Sequence, residues 1–197
     1  MILKIQTSCA LIHQLVKRRS QKRAALESNY YFSAFGTNDL EFQMITIAPT
    51  SDFTLIAELN EEVQNLHAEM HPSIFKRFDR EAAIEAIRTF MADPQCRAYV
   101  AKLGDEPVGY VLCFIREAKE NAFHYILRSV YIDQICVLKS KQRSGAGQLL
   151  LEAVEQLANK LSIHRIELDH WTSNTLAAGY FRKQGYQLIK ERLLKQL

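Results

Sequence analysis

The stretch Gln142-Arg143-Ser144-Gly145-Ala146-Gly147 constrains the fold more than any other part of this chain, because of what flanks it. Before it runs an apolar, strand-like segment, Val130-Tyr131-Ile132-Asp133-Gln134-Ile135-Cys136-Val137-Leu138. After it, Leu149, Leu150, Val154, Leu157 and Leu161 recur at helical spacing. A strand, a glycine-bearing turn and a helix together make an anion site. The first helical N–H groups lack intrahelical partners, and the helix dipole favours negative charge there. Gly145 and Gly147 are expected to let a phosphate approach that backbone.

Two familiar glycine loops are excluded by residue identity. A P-loop needs Gly-Lys-Ser/Thr at the helix start, whereas Gly147 is followed by Gln148-Leu149. A dinucleotide fingerprint needs glycine or alanine three residues beyond Gly147, and that residue is Leu150. Farther on, Arg165-Ile166-Glu167-Leu168-Asp169-His170-Trp171 alternates like a second strand, followed by Asn174-x-x-Ala177 and Phe181-Arg182-Lys183-Gln184-Gly185-Tyr186. The pattern Gln/Arg-x-x-Gly-x-Gly/Ala after a strand resembles the acyl-CoA loop of the GNAT N-acetyltransferase superfamily. Asn-x-x-Ala followed by an aromatic and Gly-Tyr resembles its closing signature. Leu66-His67-Ala68-Glu69-Met70-His71-Pro72 with Ile74-Phe75-Lys76 resembles the helix-to-loop region of one bacterial GNAT subset. The resemblance spans residues 44 to 197, with the motifs in order.

The resemblance implies an α/β GNAT fold: a central, mixed, twisted sheet of about six to seven strands flanked by about four helices. It implies acetyl-CoA as acyl donor and direct transfer to a primary amine. The N–H groups of Gln142, Arg143, Ser144, Gly145, Ala146, Gly147 and Gln148 would hold the CoA pyrophosphate. Backbone groups of Ile135, Cys136 and Val137 would face the pantetheine arm, where the family's strands splay apart. Asn174 occupies the family's pantetheine-contacting position, and a helix N-cap is equally good physics for it. The family's acid is often a tyrosine seven residues after that asparagine; here the residue is Phe181, and Tyr180 lies one position earlier. Tyr180 stands in only if the helix start shifts, and water is the other proton source. A CoA-binding module without turnover is the alternative that Phe181 suggests. The acceptor, a small-molecule or peptide amine, is not chosen by any residue.

The base follows from the residues themselves. Asp133 interrupts an apolar strand, and a charge inside a sheet is costly unless paired or functional. Strand alternation would place it on one face with Tyr131 and Ile135, as a general base or as a salt-bridge partner. Glu167, Asp169 and Trp171 would line a face of the next strand, toward a cationic acceptor or toward solvent. His67 and His71 are four apart without an accompanying carboxylate motif, so helix-surface histidines are expected rather than a metal site. Phe75 and Phe78 read as acceptor-pocket walls or core plugs, and Lys139 and Lys141 as solvated or phosphate-facing.

At 197 residues, 48% hydrophobic and 24% charged, the chain has globular composition with room for one core. No apolar run reaches the ~20 residues that span a bilayer, so no membrane partner is expected. The four cysteines (9, 96, 113 and 136) are scattered, which fits a reducing, cytoplasmic setting; Cys113 and Cys136 read as core residues. The net charge of +3 resides in residues 1–43, where Lys4, Lys17, Arg18, Arg19, Lys22 and Arg23 oppose Glu27, Asp39 and Glu41. The rest is balanced, so no nucleic-acid partner is expected of the domain. Residues 1–43 read as an extension: an in-frame start upstream of Met44, an amphipathic arm packing on the domain or a partner, a basic tether to nucleic acid or an anionic surface, or a targeting peptide lacking a cleavage signal.

Met44-Ile45-Thr46-Ile47 reads as the first strand. Helices are expected after a cap at Ser51 or Asp52, and after Asp79 with Ala82, Ile84, Ile87 and Phe90 buried. Strands at 98–102 and 108–115 meet at a Gly104–Pro107 turn. Further strands are expected at 129–138 and 164–171, helices at 147–161 and 174–184, and a closing strand at Gln187–Lys190. Homodimer formation through late strands is a further expectation from the resemblance.

Overall fold

Residues 44–196 are described by a computed structural model; residues 1–43, with the expectations attached to them, lie outside that range. Ile45–Pro49 forms strand β1, and Asp52 opens helix α1 (Phe53–Met70) by accepting the Leu55 N–H at 2.9 Å. Asp79 caps α2 (Arg80–Met91) in the same way through Ala82. Such caps satisfy helical N–H groups that otherwise have no partner, and each contributes about 1 kcal/mol. The hairpin β2 (Cys96–Leu103) and β3 (Glu106–Ala118) turns at Gly104 and Asp105. There follow β4 (Leu127–Val137), a short 3-10 turn at Lys139–Lys141, α3 (Ala146–Lys160), β5 (Ile166–Leu168) and α4 (Thr175–Lys183).

The strands lie in the order β1-β2-β3-β4-β5. The first three pairings are antiparallel and β4–β5 is parallel. The parallel pair needs a crossover, which α3 provides. Helices cover both faces, so the central strands are apolar on each side. On one face Leu150, Leu151, Val154 and Ala158 of α3 and Phe181 of α4 pack on Val108, Val111, Cys113, Val130 and Ile132. On the other, Ile56, Ala57 and Leu59 of α1 and Ile87 of α2 pack on Val100, Tyr110, Leu112 and Cys136. Burying one Leu or Ile of this kind is worth about 1.5–3 kcal/mol. Burial also pushes the Cys113 and Cys136 thiols up to about 12, which keeps both unreactive near neutral pH.

The sheet has five strands among the described residues, not six or seven. No strand forms at Gln187–Lys190, where Leu188 and Ile189 are both 69% exposed. Adjacent apolar residues point to opposite faces of a strand, and neither face here finds a layer to cover it. The strand expected over 164–171 is limited to three residues. On α2, Ala82 and Phe90 are exposed while Ile87 is buried; the helix lies with a narrower stripe against the sheet than its periodicity suggests.

Candidate functional site

The site begins where β4 stops being regular. Cys113 pairs with Ile132 and Leu112 with Gln134, so Asp133 is an extra residue with no partner on β3. A bulge of this kind bends the strand and increases its twist. The β4–β5 ladder ends at the same place, its last pair being Ile132 with Leu168. From Gln134 to Val137, β4 therefore pairs with β3 alone among the described residues. The two parallel strands part, which leaves the backbone groups of Ile135 and Val137 without a β5 neighbour, while those of Cys136 lie on the β3 side of the ladder. The bulge also breaks the alternation expected of this strand. Val130 and Ile132 belong to the α3 core, and Ile135 and Val137 pack against that same core, while Cys136 belongs to the α1 core. Asp133 thus shares no regular face with Ile135, and its carboxylate is exposed.

Beyond β4 the chain turns through Lys139–Lys141, and α3 starts at Ala146 with Gly145 as N-cap. Arg143 at φ 64° and Gly145 at φ 95° are left-handed, a conformation that only glycine adopts without cost. The N–H groups of Arg143, Ser144, Gly145, Gly147 and Gln148 have no hydrogen-bond partner among the described residues. The Ala146 N–H meets Ser144 Oγ at 3.4 Å. Left-handed residues just ahead of a helix start are a backbone pattern found in anion-binding nests. The two glycines have different jobs. A side chain on Gly145 would meet open space, so that residue supplies conformation. A Cβ on Gly147 would lie 2.9 Å from Tyr180 Oη and 3.7 Å from the Val137 side chain, so its bareness lets α4 and β4 close on the turn. Lys141 is bound to Glu106 at 2.7 Å, and Glu62 of α1 accepts the Lys139 N–H at 2.7 Å.

Asn174 caps α4, its Oδ1 accepting the Ala177 N–H at 3.0 Å, and its amide nitrogen has no partner among the described residues. Phe181 is buried in the α3-side core, stacked near His170. The Tyr180 hydroxyl is buried against Gly147 and has no hydrogen-bond partner among the described residues. Burial, and secondarily Glu152, raise its pKa, so it stays protonated. A buried hydroxyl without a partner costs about 1–3 kcal/mol. Tyr180→Phe is therefore expected to stabilise the free protein by about 1 kcal/mol, measured by urea unfolding; a loss of stability would contradict an orphaned hydroxyl.

On the far side of the gap, the loop after α1 meets the loop after β5. His71 Nε2 and Ser173 Oγ lie 2.8 Å apart, and the His71 and Trp171 rings lie 4.3 Å apart. Phe75 packs edge-on to Trp171 at 5.4 Å and against His67 at 5.0 Å. Trp171 lies beyond β5, not on it. The carboxylates here are occupied: Glu167 of β5 pairs with Arg165, and Asp169, just past the strand, accepts the Tyr131 hydroxyl at 2.9 Å, while Arg116 covers the Tyr131 ring. His67 is held below its ordinary 6.5 by burial first and by His71 second. The unfolded chain then binds more protons below that value, so His67 disfavours folding as pH falls through and below 6.5. His67→Gln is expected to flatten the stability loss between neutral pH and about pH 5, read from denaturation midpoints; an unchanged slope would contradict this.

Three side chains at the site are not legible as functional in the sequence. Asn60 of α1, Tyr110 of β3 and Gln134 of β4 form one hydrogen-bonded group that reaches Asp133. The available signal is Asn60 itself, a polar residue four after Ile56 on the apolar stripe of α1. A separate cleft lined by Thr50, Phe53, Arg88 and Met91 lies at the β1–β2 side of the sheet, away from the β4–β5 gap.

Known proteins share this architecture. A mutant of the BH1408 protein from Bacillus halodurans superposes with a TM-score of 0.71 at 19% identity, covering 78% of this chain and 99% of that one. The aminoglycoside N-acetyltransferase AAC(6')-Iy, solved with a CoA-containing bisubstrate analogue, gives a TM-score of 0.57 at 15% identity over 78% of this chain and 97% of its own. At these identities the likeness is one of fold. A Bacillus subtilis (strain 168) protein provisionally named an acetyltransferase is 30% identical over 63 residues, 32% of this chain and 41% of that protein. The uncharacterised protein YyaT of the same strain is 25% identical over 64 residues, 32% of this chain and again 41% of its length. The matches thus span about two fifths of these curated relatives. The profile of the Acetyltransferase (GNAT) family matches residues 55–186, from α1 to the residue after Gly185. On that match, the chain belongs to the GNAT acetyltransferase family.

Proposed function

We propose that the protein transfers an acetyl group from acetyl-CoA to a primary amine within a ternary complex. The observation that carries this reading is the continuity of the open, β5-side edge of β4 at Gln134–Val137 with the N–H groups of Arg143, Ser144, Gly145, Gly147 and Gln148, which have no partner among the described residues. One long ligand with an amide-rich arm and a pyrophosphate matches both parts. The arm would add to the strand edge at Ile135, Cys136 and Val137. The pyrophosphate would lie on the turn spanning Gln142, Arg143, Ser144, Gly145, Ala146, Gly147 and Gln148. The free amide nitrogen of Asn174 suits a carbonyl of the same arm. The structural neighbour AAC(6')-Iy, solved with a CoA-containing analogue, supports this donor, and the aminoglycoside acetyltransferase meta-AAC0020, solved with sisomicin, supports a small-molecule acceptor.

In the reaction the amine nitrogen attacks the thioester carbonyl, and a C–N bond forms as the oxygen gains charge. A backbone N–H of the open β4 segment would stabilise that oxyanion. Asp133, exposed at the bulge, takes the proton lost by the amine. The C–S bond then breaks, and the thiolate accepts a proton from water or from Tyr180. Phe181 and the enclosed Tyr180 hydroxyl favour water. They also motivate the second reading, a CoA-binding module that does not turn over. An amine panel separates the two: acetylated product released one for one with free CoA thiol supports the enzyme. CoA binding without product from any amine would leave the module.

A further inference from the structure

The polar group running from α1 to the β4 bulge takes no part in holding the donor, and its geometry has a direction. Asn60 Nδ2 donates to Tyr110 Oη at 2.8 Å and to Gln134 Oε1 at 3.2 Å. Tyr110 Oη donates to the same Oε1 at 2.9 Å. Gln134 Nε2 in turn donates to Asp133 Oδ2 at 3.3 Å. A glutamine amide has one acceptor end and one donor end. With two donors converging on Oε1, the amide presents its NH2 to the bulge, the orientation in which an ionised carboxylate receives a donor. The second oxygen of Asp133 keeps no partner among the described residues.

The fold pins this arrangement. Tyr110 is fully buried at the centre of the sheet, and burial raises its pKa well above the ordinary tyrosine value, so the hydroxyl remains a donor. Asn60 is fixed by α1, which packs on the same core as Tyr110 through Ile56, Ala57 and Leu59. In a regular strand the side chains of residues 133 and 134 would point to opposite faces. The bulge brings them within reach of each other. The titratable groups that feel the Asp133 charge are Cys96 of β2, Tyr110 of β3 and Tyr131 of β4, and burial raises the pKa of each, keeping them neutral near pH 7. Gln134 is therefore the group that orients the carboxylate.

We propose that Asn60, Tyr110 and Gln134 are positioning residues, which aim Asp133 at the attacking amine so that one oxygen is held and the other takes the proton. This rests on the reading of Asp133 as the base. Its purpose in the reaction is alignment, since a misplaced base loses rate without loss of substrate binding.

The test uses the full chain with the amine that the panel acetylates fastest. Tyr110→Phe and Gln134→Met preserve shape, so the fold is expected to survive, which circular dichroism checks. Each should lower kcat about tenfold and leave KM for acetyl-CoA within about twofold. In an Asp133→Asn background neither should cost anything further, because the group they position is gone. If Asp133→Asn keeps full rate, the reading of the base fails. If Asp133→Asn loses rate while Tyr110→Phe and Gln134→Met stay within about twofold of wild type, or add their full losses to it, the positioning proposal alone is overturned. No turnover with any amine sinks the enzyme reading itself.

Discussion

Gly109→Val is expected to lower stability by about 3 kcal/mol or more and to abolish donor binding with it. Gly109 lies opposite Val137 on the β3–β4 ladder. A Cβ there would sit 2.5 Å from the Cys136 carbonyl oxygen and 3.1 Å from Val137 Cα. Both obstacles are main chain, so no rotamer change relieves them. Relief requires β3 and β4 to separate along the segment whose other edge is proposed to receive the pantetheine arm. Urea unfolding reads the stability, and a CoA titration of the folded fraction reads the site. A variant with wild-type midpoint and affinity would show that the close approach is not structural.

Asp133→Asn is expected to lower kcat by about 100-fold or more, the scale of a lost general base. Stability and acetyl-CoA affinity should hardly change. The side chain is exposed, and its one hydrogen bond among the described residues, to Gln134 at 3.3 Å, remains available to an amide oxygen. Steady-state kinetics with the best amine, beside denaturant melts, separates the two effects. Equal losses in rate and stability would place Asp133 among structural residues.

How much of this was legible in the sequence depended on how local each cause is. The turn before α3, the Asp79 cap and the first cap, expected at Ser51 or Asp52 and found at Asp52, are set by neighbours within a few residues, and the helix expected over 147–161 runs from Ala146 to Lys160. The bulge at Asp133 is different. Asp133 in sequence looks like any strand position, and its extra place exists only relative to Leu112 and Cys113 on another strand. The expected face shared with Ile135 failed for that reason. The Asn60–Tyr110–Gln134 group joins residues 50 and 74 positions apart, and no periodicity encodes such a meeting. The closing strand failed conversely: Gln187-Leu188-Ile189-Lys190 has strand-like residues, but no neighbouring strand pairs with them. Gly147 reads in sequence as a glycine that lets a phosphate approach the backbone; that Tyr180 packs against it became visible only in three dimensions.

Acetyl-CoA is proposed to lie along the open, β5-side edge of β4 with its pyrophosphate on the turn before α3. Amide chemical shifts of the nitrogen-labelled protein, followed during a titration with acetyl-CoA, test it most directly. The largest changes are expected at the N–H groups of Ile135–Val137 and of Arg143–Gln148, with a further change at the Asn174 side-chain amide. Saturable changes confined to another surface, such as the cleft beside Thr50 and Arg88, would contradict it.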